Sequence, residues 1–326
     1  MKFSLWPSFD RTWDETLTVA QFAEQHGYHS FWCADHLMPN RPDGKPDPGD
    51  ALECWSVLAA VGALVPRVRL VSMVTPLTVH HPVVIAKRAT TVDHISGGRA
   101  VLGLGAGWQE NEHRSYGFEL YAPGSRVDRF AEGIEIVHRL FREESVTFDG
   151  LHFRLTDAPF SPKPLGPLPI LVGTGSPRML RLTARWAQEW NTWGDPTVVA
   201  QRTDVFRAAC DGVDRDPATM RRSAQALVFL TRTDAERDAA APFAASGRAL
   251  IGDASELIDL LGQYDAMGVD EFALPDFTLG RSAEQRADAL ATLHDEVFRH
   301  LMEHPAPPRH RTPPLHPQVG RDSCHS

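Results

Sequence analysis

Cysteine is scarce and scattered in this chain. Four occur in 326 residues, at Cys33, Cys54, Cys210 and Cys324, with no CxxC pair. That spacing excludes a four-thiolate zinc site and a dense disulfide framework, and it predicts a reducing, cytoplasmic compartment. Long apolar runs are missing too. The longest, from Val57 to Val65, is too short to cross a bilayer. The start, MKFSLWPSFDRTW, has no apolar h-region, so no secretion signal is expected. Positive charge is the minority: 33 Lys and Arg stand against 42 Asp and Glu, a net charge of −9. No basic run is interleaved with aromatics, which argues against a nucleic-acid surface. His80-His81 has no Glu or Cys ligand pattern nearby, so no metal site is expected.

What is present is an alternation of strand and helix patterns from end to end. Apolar runs at Lys2–Trp6, His29–Ala34, Arg67–Val74, Arg99–Gly105, Pro169–Gly175, Glu189–Trp193, Gln225–Leu230 and Asp270–Pro275 read as eight strands. Helix signals fall between them. Thr12/Glu15, Asp253/Glu256 and Ser282/Gln285 have capping-box spacing, and Pro82 suits a first helical turn. Repeated β–α alternation implies a parallel sheet, and eight repeats fit a closed TIM (β/α)8 barrel of the α/β class. VTFDGLHFRL, alternating about Asp149-Gly150, predicts a short β-hairpin insertion. The predicted barrel domain covers residues 1–303. The proline-rich end, 304–326, predicts a disordered tail.

Several motifs fall where a barrel carries chemistry. Asp35-His36 follows strand two, at the C-terminal face; His36 there suits acid–base work, while a loop cap with a packed ring is the plainer alternative. Gly103-Leu104-Gly105-Ala106-Gly107-Trp108 follows strand four. A dinucleotide fingerprint would need glycine where Trp108 stands. The glycines instead let backbone approach a planar ring, let the strand turn, or serve packing alone. Gly173-Thr174-Gly175-Ser176 joins strand five to a helix; it is either an anion site or a turn capped by Ser176. Asp93-His94 and Gly97-Gly98-Arg99 read as capping and turn residues. Trp186, Trp190 and Trp193 read as core or wall.

WCADHLMP, the long stretch SMVTPLTVHHPVVIAKRATTVDHISGGRAVLGLGAGW, DAPFSPKP, PILVGTG and GVDEFALP together closely resemble the bacterial luciferase-like monooxygenase superfamily. Within it the chain is most similar to the branch using coenzyme F420, a 5-deazaflavin. The resemblance implies a homodimeric barrel with F420 across its C-terminal mouth, exchanging a hydride with a small organic substrate. It implies a non-proline cis peptide at Met73–Val74 behind the cofactor ring, and a phosphate site at Gly173, Thr174 and Gly175. It places Asp35, His36, Gly107, Trp108 and Asn111 around the ring. Relatives that oxidise glucose 6-phosphate carry Trp four residues beyond the His and Glu directly after the glycines. Here Asn40 and Trp108 stand there, which puts a sugar phosphate and that acid–base pair in doubt. His36 is the first candidate for proton exchange and Glu110 the second. The alternatives are an FMN-dependent monooxygenase on the same barrel and a non-catalytic flavin-binding barrel.

Overall fold

The computed structural model describes residues 1–304. Eight parallel strands close a barrel: β1 Lys2–Trp6, β2 Ser30–Cys33, β3 Arg69–Ser72, β4 Ala100–Gly105, β5 Ile170–Gly173, β6 Glu189–Trp193, β7 Arg221–Gln225 and β8 Glu271–Pro275. Each pairs with the next, and β1 closes on β8 with Lys2 opposite Glu271 and Leu5 opposite Leu274. This is the expected TIM barrel. Alternate residues divide the sheet. Leu5, Phe31, Leu70, Leu102, Ile170 and Phe272 join the core beneath the helices, while Trp6, Trp32, Val71, Val101, Leu171 and Ala273 form a separate interior cluster. The register that puts a strand's branched residues under its helix thereby puts its neighbours into the lumen.

The helices follow their punctuation. Thr12 accepts from Glu15 N to open helix Trp13–Gln25, without the reciprocal half of a capping box. Asp253 and Ser282 do form complete capping boxes, for helices Ala254–Ala266 and Ala283–Leu293. Pro82 opens Pro82–Ser96, which Gly97 ends in the left-handed region at φ 68°. The hairpin is present, with Ser145–Asp149 antiparallel to Arg154–Pro159. The predicted tail lies outside the described residues.

Strand seven is displaced from its predicted place at Gln225–Leu230. The barrel strand is Arg221–Gln225, and Leu227–Leu230 leaves the barrel to pair with Ala249–Gly252. The reason is chemical. Arg221, Ser223 and Gln225 find polar partners inside the barrel, so the strand carries no apolar signal. Ala249–Gly252 and the helices Glu110–Tyr116 and Asp234–Ala244 were not anticipated.

The N-terminal end of the lumen is plugged by polar groups. Glu271 accepts from Ser4 Oγ at 2.5 Å and Trp32 Nε1 at 3.1 Å, and faces Arg69 and Arg221 at 3.4 Å each. Burial alone would raise its carboxyl; Arg69 foremost holds it below the ordinary value. Beside it, His29 Nε2 lies 3.0 Å from the Arg221 guanidinium. Burial, against the opposing pull of Glu271, pushes His29 down from 6.5 to about 4. Burial against Trp186 likewise pushes His138 down to about 4.

Both histidines are therefore neutral in the fold where the unfolded chain protonates them. The unfolded chain binds more protons between about pH 6.5 and pH 4, so stability falls as pH drops through that window and is level above it. Urea midpoints are expected to fall accordingly, with about 1 kcal/mol per histidine after solvent screening. His138→Gln is expected to remove its share of the slope. An unaltered slope in that variant would show that His138 does not contribute.

Candidate functional site

The cavity at the C-terminal mouth rests on the end of strand three. After Ser72 the chain makes a cis peptide at Met73–Val74 and resumes pairing at Thr75–Pro76, opposite Leu104 and Gly105. This brings strand-three backbone against β4. A Cβ on Gly103 would lie 1.9 Å from Ser72 O, and one on Gly105 would lie 2.6 Å from Val74 Cγ2. Gly107, at φ 88°, would meet Thr78 Oγ1 at 2.2 Å. Ser72 Oγ donates to Gly103 O at 3.1 Å and accepts from Gly103 N at 3.0 Å. The glycines thus make room for strand three and its loop. Met73 and Val74 consequently line the cavity, with Gly105 and Gly107 beside them.

The cavity has a volume of about 610 Å³. One end is formed by Gly173, Thr174 and Gly175. Thr174 is fixed from both sides: its N–H donates to Asn191 O at 3.1 Å, and its carbonyl accepts from Trp190 Nε1 at 2.8 Å. Ser176 caps helix Pro177–Trp186. Arg202 and Arg248 line this end. Arg202 donates to Thr192 Oγ1 at 2.8 Å and lies so near Gly175 that a Cβ there would be 3.1 Å from Nε. Burial first, then the charge of Arg248, lowers the Arg202 guanidinium from its ordinary value. Two cations sharing one end of the cavity is an arrangement an anion relieves. Trp6 and Gln225 also line the cavity, and Trp6 Nε1 and Gln225 Nε2 are buried donors without a partner among the described residues.

The other end holds His36. Its Nδ1 is 3.0 Å from Glu112 Oε1, and Glu112 Oε2 accepts from Leu37 N at 2.9 Å. Glu112 is 1% exposed, so this carboxylate is committed to the loop after strand two. The bond assigns the proton to Nδ1 and leaves Nε2 as the ring's free nitrogen, with no protein partner among the described residues. Phe9 and Trp108 each stand with ring centroids 5.5 Å from that of His36, Trp108 at 86°.

Three expected site residues are placed differently. Glu110 is exposed on its helix and does not line the cavity; the carboxylate beside His36 is Glu112, two residues on. Asn111 is buried, donating to Pro39 O at 2.8 Å and Lys45 O at 3.3 Å, so it pins the loop. Asp35 is also buried outside the cavity, 3.2 Å from His80 Nε2. Burial would raise its carboxyl, but the bond to His80 and its charge hold it below the ordinary value. Glu112 was legible in principle. Gln109, Glu112 and His113 share one helical face and are all buried. Arg202, Arg248 and Gln225 sit in segments that carry no motif.

The remaining motifs are structural. His81 caps helix Pro82–Ser96 through Val83 N. Asp93 accepts from Leu165 N at 2.9 Å, and Arg99 donates to Val68 O and Gly62 O. Trp190 is core, stacked on Phe206 at 4.4 Å, whereas Trp193 is cavity wall.

A parallel (β/α)8 barrel with one large cavity at its C-terminal rim, lined by an anion-suited loop and a positioned histidine, defines an enzyme-type barrel. The chain belongs to the luciferase-like monooxygenase family, whose model matches residues 1–300. It is 29% identical over 300 residues to an F420-dependent glucose-6-phosphate dehydrogenase of Nakamurella multipartita, spanning 89% of this chain and 86% of that protein. It is also 29% identical over 214 residues to an F420-dependent hydroxymycolic acid dehydrogenase of Mycobacterium tuberculosis, spanning 65% of this chain and 58% of that one. Among solved structures, an F420-dependent secondary alcohol dehydrogenase in complex with an F420-acetone adduct superposes with a TM-score of 0.74 at 19% identity, covering 84% of this chain and 92% of that one. At that identity the likeness speaks for the fold alone.

The close approach at the cavity floor has a direct test. Gly103→Ala is expected to cost about 3 kcal/mol or more, or to prevent folding, because backbone cannot retreat as a side chain can. Gly166, with nothing within 4 Å of its added Cβ, is the control, and Gly166→Ala should stay within about 0.5 kcal/mol. Urea unfolding of both variants decides it; an unperturbed Gly103→Ala would refute the floor as described.

Proposed function

We propose that this chain is an F420-dependent oxidoreductase that exchanges a hydride with a small organic substrate. The observation that carries this reading is one cavity of about 610 Å³ whose lining joins the Gly173–Gly175 loop, Arg202 and Arg248 to His36, itself held through Nδ1 by Glu112. A flat ring system with acceptor atoms and a phosphate arm fits that sequence of surfaces. Met73 and Val74 would back the ring. Gly173–Gly175, Arg202 and Arg248 would hold the phosphate. The names of the two dehydrogenase relatives agree with it.

F420, when bound, supplies C5 as a two-electron hydride donor or acceptor. The protein supplies position and one proton. His36 Nε2 exchanges that proton with the substrate, and Glu112 fixes the ring's tautomer and orientation. Glu112 touches His36 and not the substrate, so it is a positioning residue. Gly107 and Trp108 shape the same end.

A homodimer belongs to the present proposal. The exposed apolar residues Leu64, Val84 and Ile95 lie on neighbouring helices, Cys54–Leu64 and Pro82–Ser96, and would suit such a contact. So does a cytoplasmic location; no helix of the described residues is long and apolar enough to cross a membrane.

Fluorescence titration separates the cofactors. F420 is expected to bind about 100-fold or more tightly than FMN, a difference of about 2.7 kcal/mol. Tight FMN binding without F420 binding would overturn the assignment. With F420 loaded, His36→Ala is expected to lower kcat about 100-fold at nearly unchanged cofactor affinity. Glu112→Gln is expected to lower kcat about tenfold at nearly unchanged KM, since the amide can turn its NH2 toward Nδ1 and no longer fixes the ring's tautomer and orientation. A Glu112→Gln enzyme with unchanged kcat would remove Glu112 from this role.

A further inference from the structure

The two ends of the cavity differ in chemistry, and the difference bears on the substrate. Its cations, Arg202 and Arg248, belong to the end formed by Gly173–Gly175. The His36 end is aromatic. Phe9 and Trp108 flank the imidazole, and Phe277, edge-on to Trp6 at 5.2 Å, also lines the cavity. Trp108 is 57% exposed and Phe277 40%. Large rings left open at the rim of a cavity, beside a positioned acid–base group, mark a surface that an apolar ligand covers. The one carboxylate lining the cavity, Glu112, sits at this same end. An anionic substrate there would give up its hydration beside a buried carboxylate, with no Lys or Arg among the lining residues of that end to compensate.

We infer that the substrate is an uncharged alcohol, or the carbonyl compound it becomes, with an aromatic or alicyclic body held against Phe9, Trp108 and Phe277. This rests on the F420 reading above and narrows it. In the oxidative direction the carbinol C–H bond breaks and its electron pair and hydrogen pass to C5 of the deazaflavin. The O–H bond breaks, its proton passes to His36 Nε2, and the C=O double bond forms. The reductive direction returns both. A phosphorylated sugar fits poorly, because both arginines lie at the end assigned to the cofactor phosphate.

The test uses the full chain loaded with F420. The probes are 1-phenylethanol with acetophenone and cyclohexanol with cyclohexanone, against glucose 6-phosphate. Turnover is followed at the deazaflavin absorption band and ligand binding by calorimetry. The apolar pairs are expected to exceed glucose 6-phosphate by about 100-fold or more in kcat/KM, and to bind with measurable heat where the phosphate does not. Trp108→Ala, an exposed position that folding tolerates, is expected to raise KM for 1-phenylethanol about tenfold. Equal or better turnover of glucose 6-phosphate would overturn the inference. So would an unmoved KM in Trp108→Ala, or failure of every apolar pair with a protein that binds F420. Failure to bind F420 at all is read separately, in the cofactor titration, and would remove the cofactor reading together with this one.

Discussion

The contact on which the site depends is backbone against backbone. Ser72 O occupies the place where a side chain on residue 103 would begin. Only glycine permits that approach, and Ser72 Oγ then bridges to both the N–H and the carbonyl of Gly103. With strand three held so close, Met73 and Val74 are carried over β4 into the lumen, and Gly105 and Gly107 must also be small to receive Val74 and Thr78. The run of glycines that resembles a nucleotide loop is thus an imprint of the neighbouring strand. Its bearing on a ligand is indirect: it decides how flat and how deep the cavity floor is.

A second layer of constraint fixes the acid–base end. Helix Glu110–Tyr116 has only 7 residues, too few to be stable alone, yet it organises the loop after strand two. Gln109 holds Met38 O, Asn111 holds Pro39 O, and Glu112 holds both His36 and Leu37. His113 ties the helix to Thr78 at 2.7 Å, on the loop that Gly107 accommodates. The floor and the histidine are therefore parts of one hydrogen-bonded assembly, joined through Thr78 and His113.

Much of this was readable in the residues, for reasons that differ by element. The barrel was legible because strands buried on both faces leave near-continuous apolar runs, and because prolines and capping pairs mark helix starts. Strand seven was not, since Arg221, Ser223 and Gln225 exchange apolar character for polar partners inside the lumen. At the site, the resemblance led to Gly173–Gly175, His36 and the Met73–Val74 bond, all of which reach the cavity. It led to Glu110 where Glu112 stands because sequence proximity does not say which way a helix faces. Arg202 and Arg248 carry no local pattern at all. They meet only when helix Pro196–Asp211 and the strand at Ala249 close on the same rim.

The charged groups at the two ends of the barrel are matched differently, and the difference favours the mouth as the ligand end. At the bottom of the barrel Glu271 is matched by Ser4, Trp32, Arg69 and Arg221, and Arg69 also meets Glu189, so the buried charges there are paired. At the mouth the same fold leaves Trp6 Nε1 and Gln225 Nε2 without partners and sets Arg202 within reach of Arg248's repulsion. Each unmet buried donor costs about 1–3 kcal/mol, and a like-charge pair adds to that. Such costs persist in a fold when something bound relieves them, and a ligand that does so stabilises the native state by its own binding free energy. Trp6 shows the contrast within a single strand. Ser4, two residues earlier on the same inward face, is paired in the plug, whereas the Trp6 ring packs against Trp32 and Trp193 and its N–H is buried without a partner among the described residues.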